Sequence, residues 1–195
     1  MKMESNVYYF EKQGTQNTDK VLELVKKRAD ERNIKDVILA STEGATAVKA
    51  MKVFDPKKYN LVAVTHASYF VKNQYQELNE ENKKLLLENG VKIVTGVHAL
   101  SGIGRSYRTE IKPPIWSFTD LLGRTFRSIL GDGFKVCIEV CLMAVDAGIV
   151  KLDNDVLSIG GRGRGSDTAL LLKPASTSNF LDLKIKEIVC KPLNY

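Results

Sequence analysis

Four short stretches of this chain hold the residue types best suited to chemistry. Residues 41–46 read Ser-Thr-Glu-Gly-Ala-Thr, after the apolar run 37–40 and before Ala47, Val48 and Met51, an apolar set at helical spacing. Strand, tight polar turn and helix in that order leave backbone N–H groups unsatisfied at the helix start. The positive end of the helix dipole lies there too, so the turn attracts phosphate. The chain's two histidines, His66 and His98, each follow a β-like run, 61–65 (LVAVT) and 91–95 (VKIVT). An imidazole so placed can contact a ligand or move a proton, although a lone histidine is more often a structural hydrogen-bonder. Residues 160–167 read Gly-Gly-Arg-Gly-Arg-Gly-Ser-Asp. This is no dinucleotide fingerprint, because Ser166 takes the last glycine position, and no lysine follows a G-x-x-x-x-G to make a nucleotide loop. A pliable backbone carrying Arg162 and Arg164 suits close approach to an anion; a bare hairpin loop with two solvated arginines is the plainer alternative.

Positioning these stretches calls for a sheet with helices around it. Residues 7–10 are β-like, a polar turn spans 11–17, and Thr18 caps a helix striped by Val21, Leu22, Val25 and Ala29. A strand over 34–40 enters the phosphate turn, and Asp55-Pro56 ends the helix beyond it. The run 61–65 lacks alternation, as a strand covered on both faces should. Tyr75, Leu78, Leu85 and Leu86 mark a third helix, closed by Asn89-Gly90 before the strand 91–95. The order β-α-β-α-β-α-β specifies a parallel α/β sheet, whose ligands sit beyond the carboxyl ends of its strands. That rule puts the 41–46 turn and both histidines on one edge.

Residues 102–114 (GIGRSYRTEIKPP) form a polar loop or flap with Arg105 and Arg108. Ser117 caps a helix with Phe118, Leu121, Leu122, Phe126, Ile129 and Leu130, and Gly131 closes it. The next helix, 134–147, is apolar nearly all round. Its Lys135, Glu139 and Asp146 fall on one line, which reads as a narrow solvent-facing stripe, with a carboxylate at the site as the alternative. Runs 156–159 and 168–173 have no crossover helix between them, so an antiparallel pair at the sheet edge is expected; 185–190 is a third run.

Composition narrows the classes. At 195 residues with 44% hydrophobic and 27% charged, a single globular domain over 1–195 is expected. No apolar run approaches the ~20 residues that span a bilayer, and the start MKMESNVYYF lacks a signal-peptide core, so a cytoplasmic protein without a membrane partner is expected. Cys137, Cys141 and Cys190 read as buried thiols, with no disulfide framework and no metal site. A net charge of +6 suits an anionic ligand. The lysines are scattered and no basic run is interleaved with aromatics, which speaks against nucleic acid. A homo-oligomer is compatible with everything above.

Together the turn and the late loop carry a resemblance. Strand-S-T-E-G-A-T-A-helix, followed by V-A-V-T-H, resembles the C-terminal domain of pyruvate kinase, where a T-x-S-G-x-S-A turn holds a phosphate of the allosteric sugar bisphosphate. The segment I-G-G-R-G-R-G-S-D-T is similar to that domain's effector loop. Over nearly its full length the chain looks closer still to a family of stand-alone, mostly archaeal proteins built like that domain. The shared patterns are Ala40-Ser41-Thr42, Gly44-Ala45-Thr46-Ala47, Leu100-Ser101-Gly102, Lys135-Val136-Cys137-Ile138-Glu139, Gly160-Gly161-Arg162 and Lys186-Glu187-Ile188. The resemblance implies a three-layer α/β/α fold with a five-stranded, mostly parallel core sheet and an antiparallel edge strand. It also implies FMN as cofactor, hence a flavoprotein and, if an enzyme, a flavin-dependent oxidoreductase. Ser41, Thr42, Gly44, Ala45 and Thr46 would then bind the phosphate, with Arg162, Gly163 and Arg164 opposite. His66, Ser68 and the Ser101-Gly102 turn would lie near the flavin ring, with His66 and His98 the candidate proton donors. Glu43 departs from the pyruvate kinase turn, where a small polar residue is usual, and the catalytic barrel is absent, so kinase activity is not expected. The alternative is a non-catalytic sensor of a sugar phosphate or nucleotide.

Overall fold

The structure is a computed structural model and describes residues 4–195; residues 1–3 of the start read above lie outside the described residues. Seven strands form one sheet: β1 (Tyr8–Lys12), β2 (Asp36–Ala40), β3 (Asn60–Thr65), β4 (Lys92–Thr95), β5 (Val156–Gly160), β6 (Thr168–Lys173) and β7 (Lys184–Asn194). Six α-helices accompany them: α1 (Thr18–Arg32), α2 (Ala45–Val53), α3 (Glu80–Glu88), α4 (Gly104–Glu110), α5 (Phe118–Leu130) and α6 (Asp132–Asp146).

The strands lie in the order β1-β7-β6-β5-β2-β3-β4. β5, β2, β3 and β4 are mutually parallel, as are β1 and β7, and β6 runs against both of its neighbours. The antiparallel β5–β6 hairpin read from the sequence is present. β7 and β1 continue the sheet beyond it, which makes seven strands rather than the five expected.

Alternation along β2 shows why the chain folds in three layers. Val37 and Leu39 pack with Val21, Leu22, Ala47, Ala50 and Leu86 from α1, α2 and α3. Ile38 packs on the other face with Phe134, Cys137, Ile138 and Cys141 from α6. Both faces of the strand are thus covered, which is why its sequence is continuously apolar.

Several local expectations are corrected. Tyr75 and Leu78 precede α3, which Asn79 caps by accepting from the N–H groups of Glu81 and Asn82. Asn17, not Thr18, is the N-cap position of α1. Part of the 102–114 flap is the helix α4, in which no residue is buried. Lys135 and Glu139 are each only 4% exposed, so they make no solvent-facing stripe. α5 packs on α6 and covers that side, and the two residues compensate one another as a buried ion pair. Asp146 is exposed and holds Thr177 through its N–H (3.0 Å) and its hydroxyl (2.7 Å). Among the described residues no helix is long and apolar enough to cross a membrane.

Candidate functional site

Parallel pairing of β2 with β5, in the register Leu39 to Ile159, brings their carboxyl ends side by side. The 41–46 turn leaves β2 there and the glycine–arginine loop leaves β5, so two stretches about 120 positions apart in the sequence face one another. Gly44 turns the chain at φ 94°, a left-handed conformation that suits glycine, and α2 begins with the next residue. Ser41, nearly buried, accepts the Ala47 N–H at 3.1 Å and closes one donor of the helix start. Ala45 and Thr46 lie in the first turn, where no carbonyl of the helix stands behind their N–H groups. The turn is tied down from outside by Asn82, whose side chain donates to the Glu43 carbonyl at 2.9 Å, and by Thr65, whose hydroxyl donates to the Thr42 carbonyl at 3.0 Å.

A cavity of about 320 Å³ opens over this turn, lined by Ser41, Thr42, Ala45, Thr46, His66, Glu77, Val136, Gly163 and Arg164 among others. Thr46 is only 7% exposed; among the described residues its hydroxyl makes no hydrogen bond, and it is not one of the enclosed unpartnered atoms, so it stays open to the cavity. Arg164 reaches across the mouth to Glu43, Nη2 to Oε1 at 3.0 Å. Its backbone sits at φ 69°, left-handed for a residue with a Cβ. Asp167 anchors the loop's base, buried, accepting from the Gly14 N–H and the Thr168 hydroxyl. Burial raises its carboxyl above the ordinary range.

His66 stands at the end of β3, as the sequence implied. Its Nδ1 lies 2.5 Å from Glu77 Oε2 and its Nε2 lies 3.5 Å from Thr42 Oγ1. Gln76 fixes this pair: its amide donates to the His66 carbonyl, and its side-chain oxygen accepts the N–H of Glu77. His98 is different. Burial drives it down to about 4, so it is a neutral imidazole near pH 7. Its Nδ1 lies 3.9 Å from Glu139, whose other oxygen accepts the Leu100 N–H at 3.0 Å. Burial alone would raise Glu139, but the Lys135 ammonium beside it holds it below the usual carboxylate range. Burial lowers Lys135 in turn. Of the two histidines, His66 is the one that lines the cavity over the 41–46 turn.

The other expected site residues divide. Gly163 and Arg164 line the cavity with the 41–46 turn, but Arg162 turns away to Asp132, Nε to Oδ2 at 3.5 Å. Ser68, Ser101 and Gly102 line a neighbouring groove with His98 and Phe70. A further cavity of about 290 Å³ shares Thr42 and His66 with the first and is edged by Arg105, Arg108, Arg127 and Lys135. Glu77 and Val136 belong to the site but escaped sequence reasoning. Glu77 lies in the non-periodic segment between β3 and α3, where only the eleven-residue return to His66 gives it meaning. The three cysteines are buried free thiols, with Cys141 and Cys190 raised to about 12 by burial. Among the described residues no cluster of three or more His, Cys, Asp or Glu side chains could hold a metal ion.

No protein-family model matches the chain. Among solved structures it is similar to a caffeoyl-CoA O-methyltransferase-like protein from Staphylococcus aureus, with a TM-score of 0.32 and 12% identity. That match covers 70% of this chain and 55% of the other, so the chain spans about half of that protein's length. A likeness at this level transfers no ligand and no reaction. The FMN expectation is corrected at this point. The similar structure is named for an O-methyltransferase, so the comparison gives FMN no support. Where the flavin ring was expected, His66, Phe70 and His98 pack on one another with ring centroids 4.2, 4.9 and 4.7 Å apart, and the Arg105 guanidinium lies 4.2 Å over Phe70. Phe70, His98 and Arg105 also line the groove that holds Ser68, Ser101 and Gly102.

Proposed function

We propose that this protein binds a phosphorylated small molecule, a sugar phosphate or a nucleotide, with its phosphate on the 41–46 turn. The observation that carries this reading is Thr46 in the first turn of α2, a mostly buried residue whose hydroxyl opens onto the cavity and makes no hydrogen bond among the described residues. An anion at the helix start would accept a hydrogen bond from this hydroxyl together with the backbone N–H groups beside it, and a hydrogen bond to a charged group contributes about 1.5–3 kcal/mol. Arg164 supports the reading from the opposite wall. Its left-handed backbone holds a guanidinium fork over the cavity at an expense of about 1–2 kcal/mol in conformation. The likeness of both stretches to the effector turn and loop of the pyruvate kinase C-terminal domain points the same way. Glu43 engages Arg164 and so competes with a phosphate for that guanidinium.

A thermal-shift panel of glucose 6-phosphate, fructose 1,6-bisphosphate, AMP and GMP tests the reading. At least one of these should raise the melting temperature, and Thr46→Val should weaken that ligand by about 1.5–3 kcal/mol, roughly 10–150-fold. A Thr46→Val protein that binds as tightly as the parent would show that the phosphate lies elsewhere.

A further inference from the structure

His66 does more than wall the cavity. A carboxylate only accepts hydrogen bonds, so with Glu77 beside Nδ1 the ring proton sits there and the lone pair is on Nε2. The Thr42 hydroxyl, 3.5 Å from Nε2, is at the outer limit of a hydrogen bond and leaves that lone pair largely spare. His66, Thr42, Thr46 and Arg164 line the same cavity, so the nitrogen shares its space with the proposed phosphate groups. The His66 and Glu77 side chains are 29% and 13% exposed, reachable from the cavity yet partly shielded. Imidazole, orienting carboxylate and an adjacent anion cradle are the three parts of a nucleophilic histidine.

Resting on the phosphate reading above, we propose that His66 takes the phosphoryl group of a bound phosphate monoester onto Nε2 and passes it to water. The Nε2 lone pair forms an N–P bond as the P–O bond to the alcohol breaks. The bonding pair leaves on the alcohol oxygen, which takes a proton from water. The Nδ1 proton stays in place, and Glu77 balances the charge the ring acquires. Water then attacks phosphorus, the N–P pair returns to Nε2, and the proton released by that water neutralises the hydroxide left by the first step. The sum is monoester plus water giving alcohol plus orthophosphate. Arg164, Thr46 and the N–H groups at the start of α2 hold the non-bridging oxygens.

The experiment incubates the full chain with p-nitrophenyl phosphate and measures orthophosphate binding by calorimetry alongside. Release of p-nitrophenolate is expected, with a phosphoryl label on the peptide containing His66 that survives alkali and is lost in acid. His66→Asn should lower turnover on the order of 10²-fold or more while orthophosphate still binds. Glu77→Gln, a positioning change, should lower kcat by a similar factor and leave KM near that of the parent. Orthophosphate binding without label or p-nitrophenolate would overturn the transfer and leave the binding reading intact. An acid-stable label on Thr42, or undiminished turnover in His66→Asn, would overturn it as well. If orthophosphate does not bind at all, both readings fall.

Discussion

At the scale of single residues, two side chains decide how the site behaves. His98 is pulled from its ordinary value of 6.5 to about 4, chiefly by burial, against the opposing pull of Glu139 and with smaller contributions from His66, Lys135 and Arg105. An unfolded chain therefore takes up this proton before the folded one does. The corresponding stability is fully present above pH 6.5 and is lost as the pH falls toward about 4. Between pH 7 and 5, above most carboxylate titration, the loss should be on the order of 2 kcal/mol. Urea melts at the two pH values should show it, and His98→Gln should flatten the dependence; an identical slope in the variant would refute the assignment. Glu43 is the second. Its pair with Arg164 is 42% and 65% exposed, so breaking it changes stability little. Glu43→Gln should free the guanidinium for the ligand and tighten orthophosphate binding by up to about 1 kcal/mol, roughly fivefold. Weaker binding in a calorimetric titration would mean that Glu43 helps to hold the ligand.

At the scale of elements, the site depends on how closely β5 and α6 approach. Gly160, the last residue of β5, has no room for a side chain: a Cβ there would lie 2.6 Å from the Gly133 carbonyl oxygen and 3.0 Å from the Cys137 N. Gly133 is equally crowded, against Thr168 and Asp167. Backbone contact of this kind puts the start of α6 under the glycine–arginine loop and lets Val136 line the cavity. Gly160→Ala should cost about 1–3 kcal/mol or more through overpacking, read as a lower urea midpoint with an unchanged m-value. A midpoint equal to that of the parent would show that the contact relaxes without penalty. The same close packing turns Lys135 and Glu139 inward. From helical periodicity alone the two share a line with Asp146, and only the seating of α5 over α6 decides that the first two are interior and the third is not.

At the scale of the whole molecule, one continuous sheet carries two cores, and stability should grade from its middle outward. β2, β3 and β5 are buried almost throughout, whereas α4 contributes no buried residue. α4 brings Arg105 onto Phe70, and Trp116 beyond it lies between Arg108 and Arg124 at 5.2 and 4.8 Å. Hydrogen exchange at 104–116 should therefore run orders of magnitude faster than at β2 and β5. Equal protection would argue that this segment is built into the cooperative core. Much of this architecture was legible in the sequence, since apolar runs bounded by turn residues define strands locally and helical spacing defines helices. The placing of the 41–46 turn, the glycine–arginine loop and His66 at strand ends was legible for the same reason, because each is a contiguous pattern beside an apolar run. The partnership of Glu77 with His66, the divergence of Arg162 from Arg164 and the withdrawal of His98 into a neutral buried state were not legible. Neither was the packing of the His66, Phe70 and His98 rings on one another. Local sequence determined which residues reach the carboxyl edge of the sheet. Which of them meet was decided by strand order and helix seating, because contacts between distant segments follow from packing and leave no periodic trace along the chain.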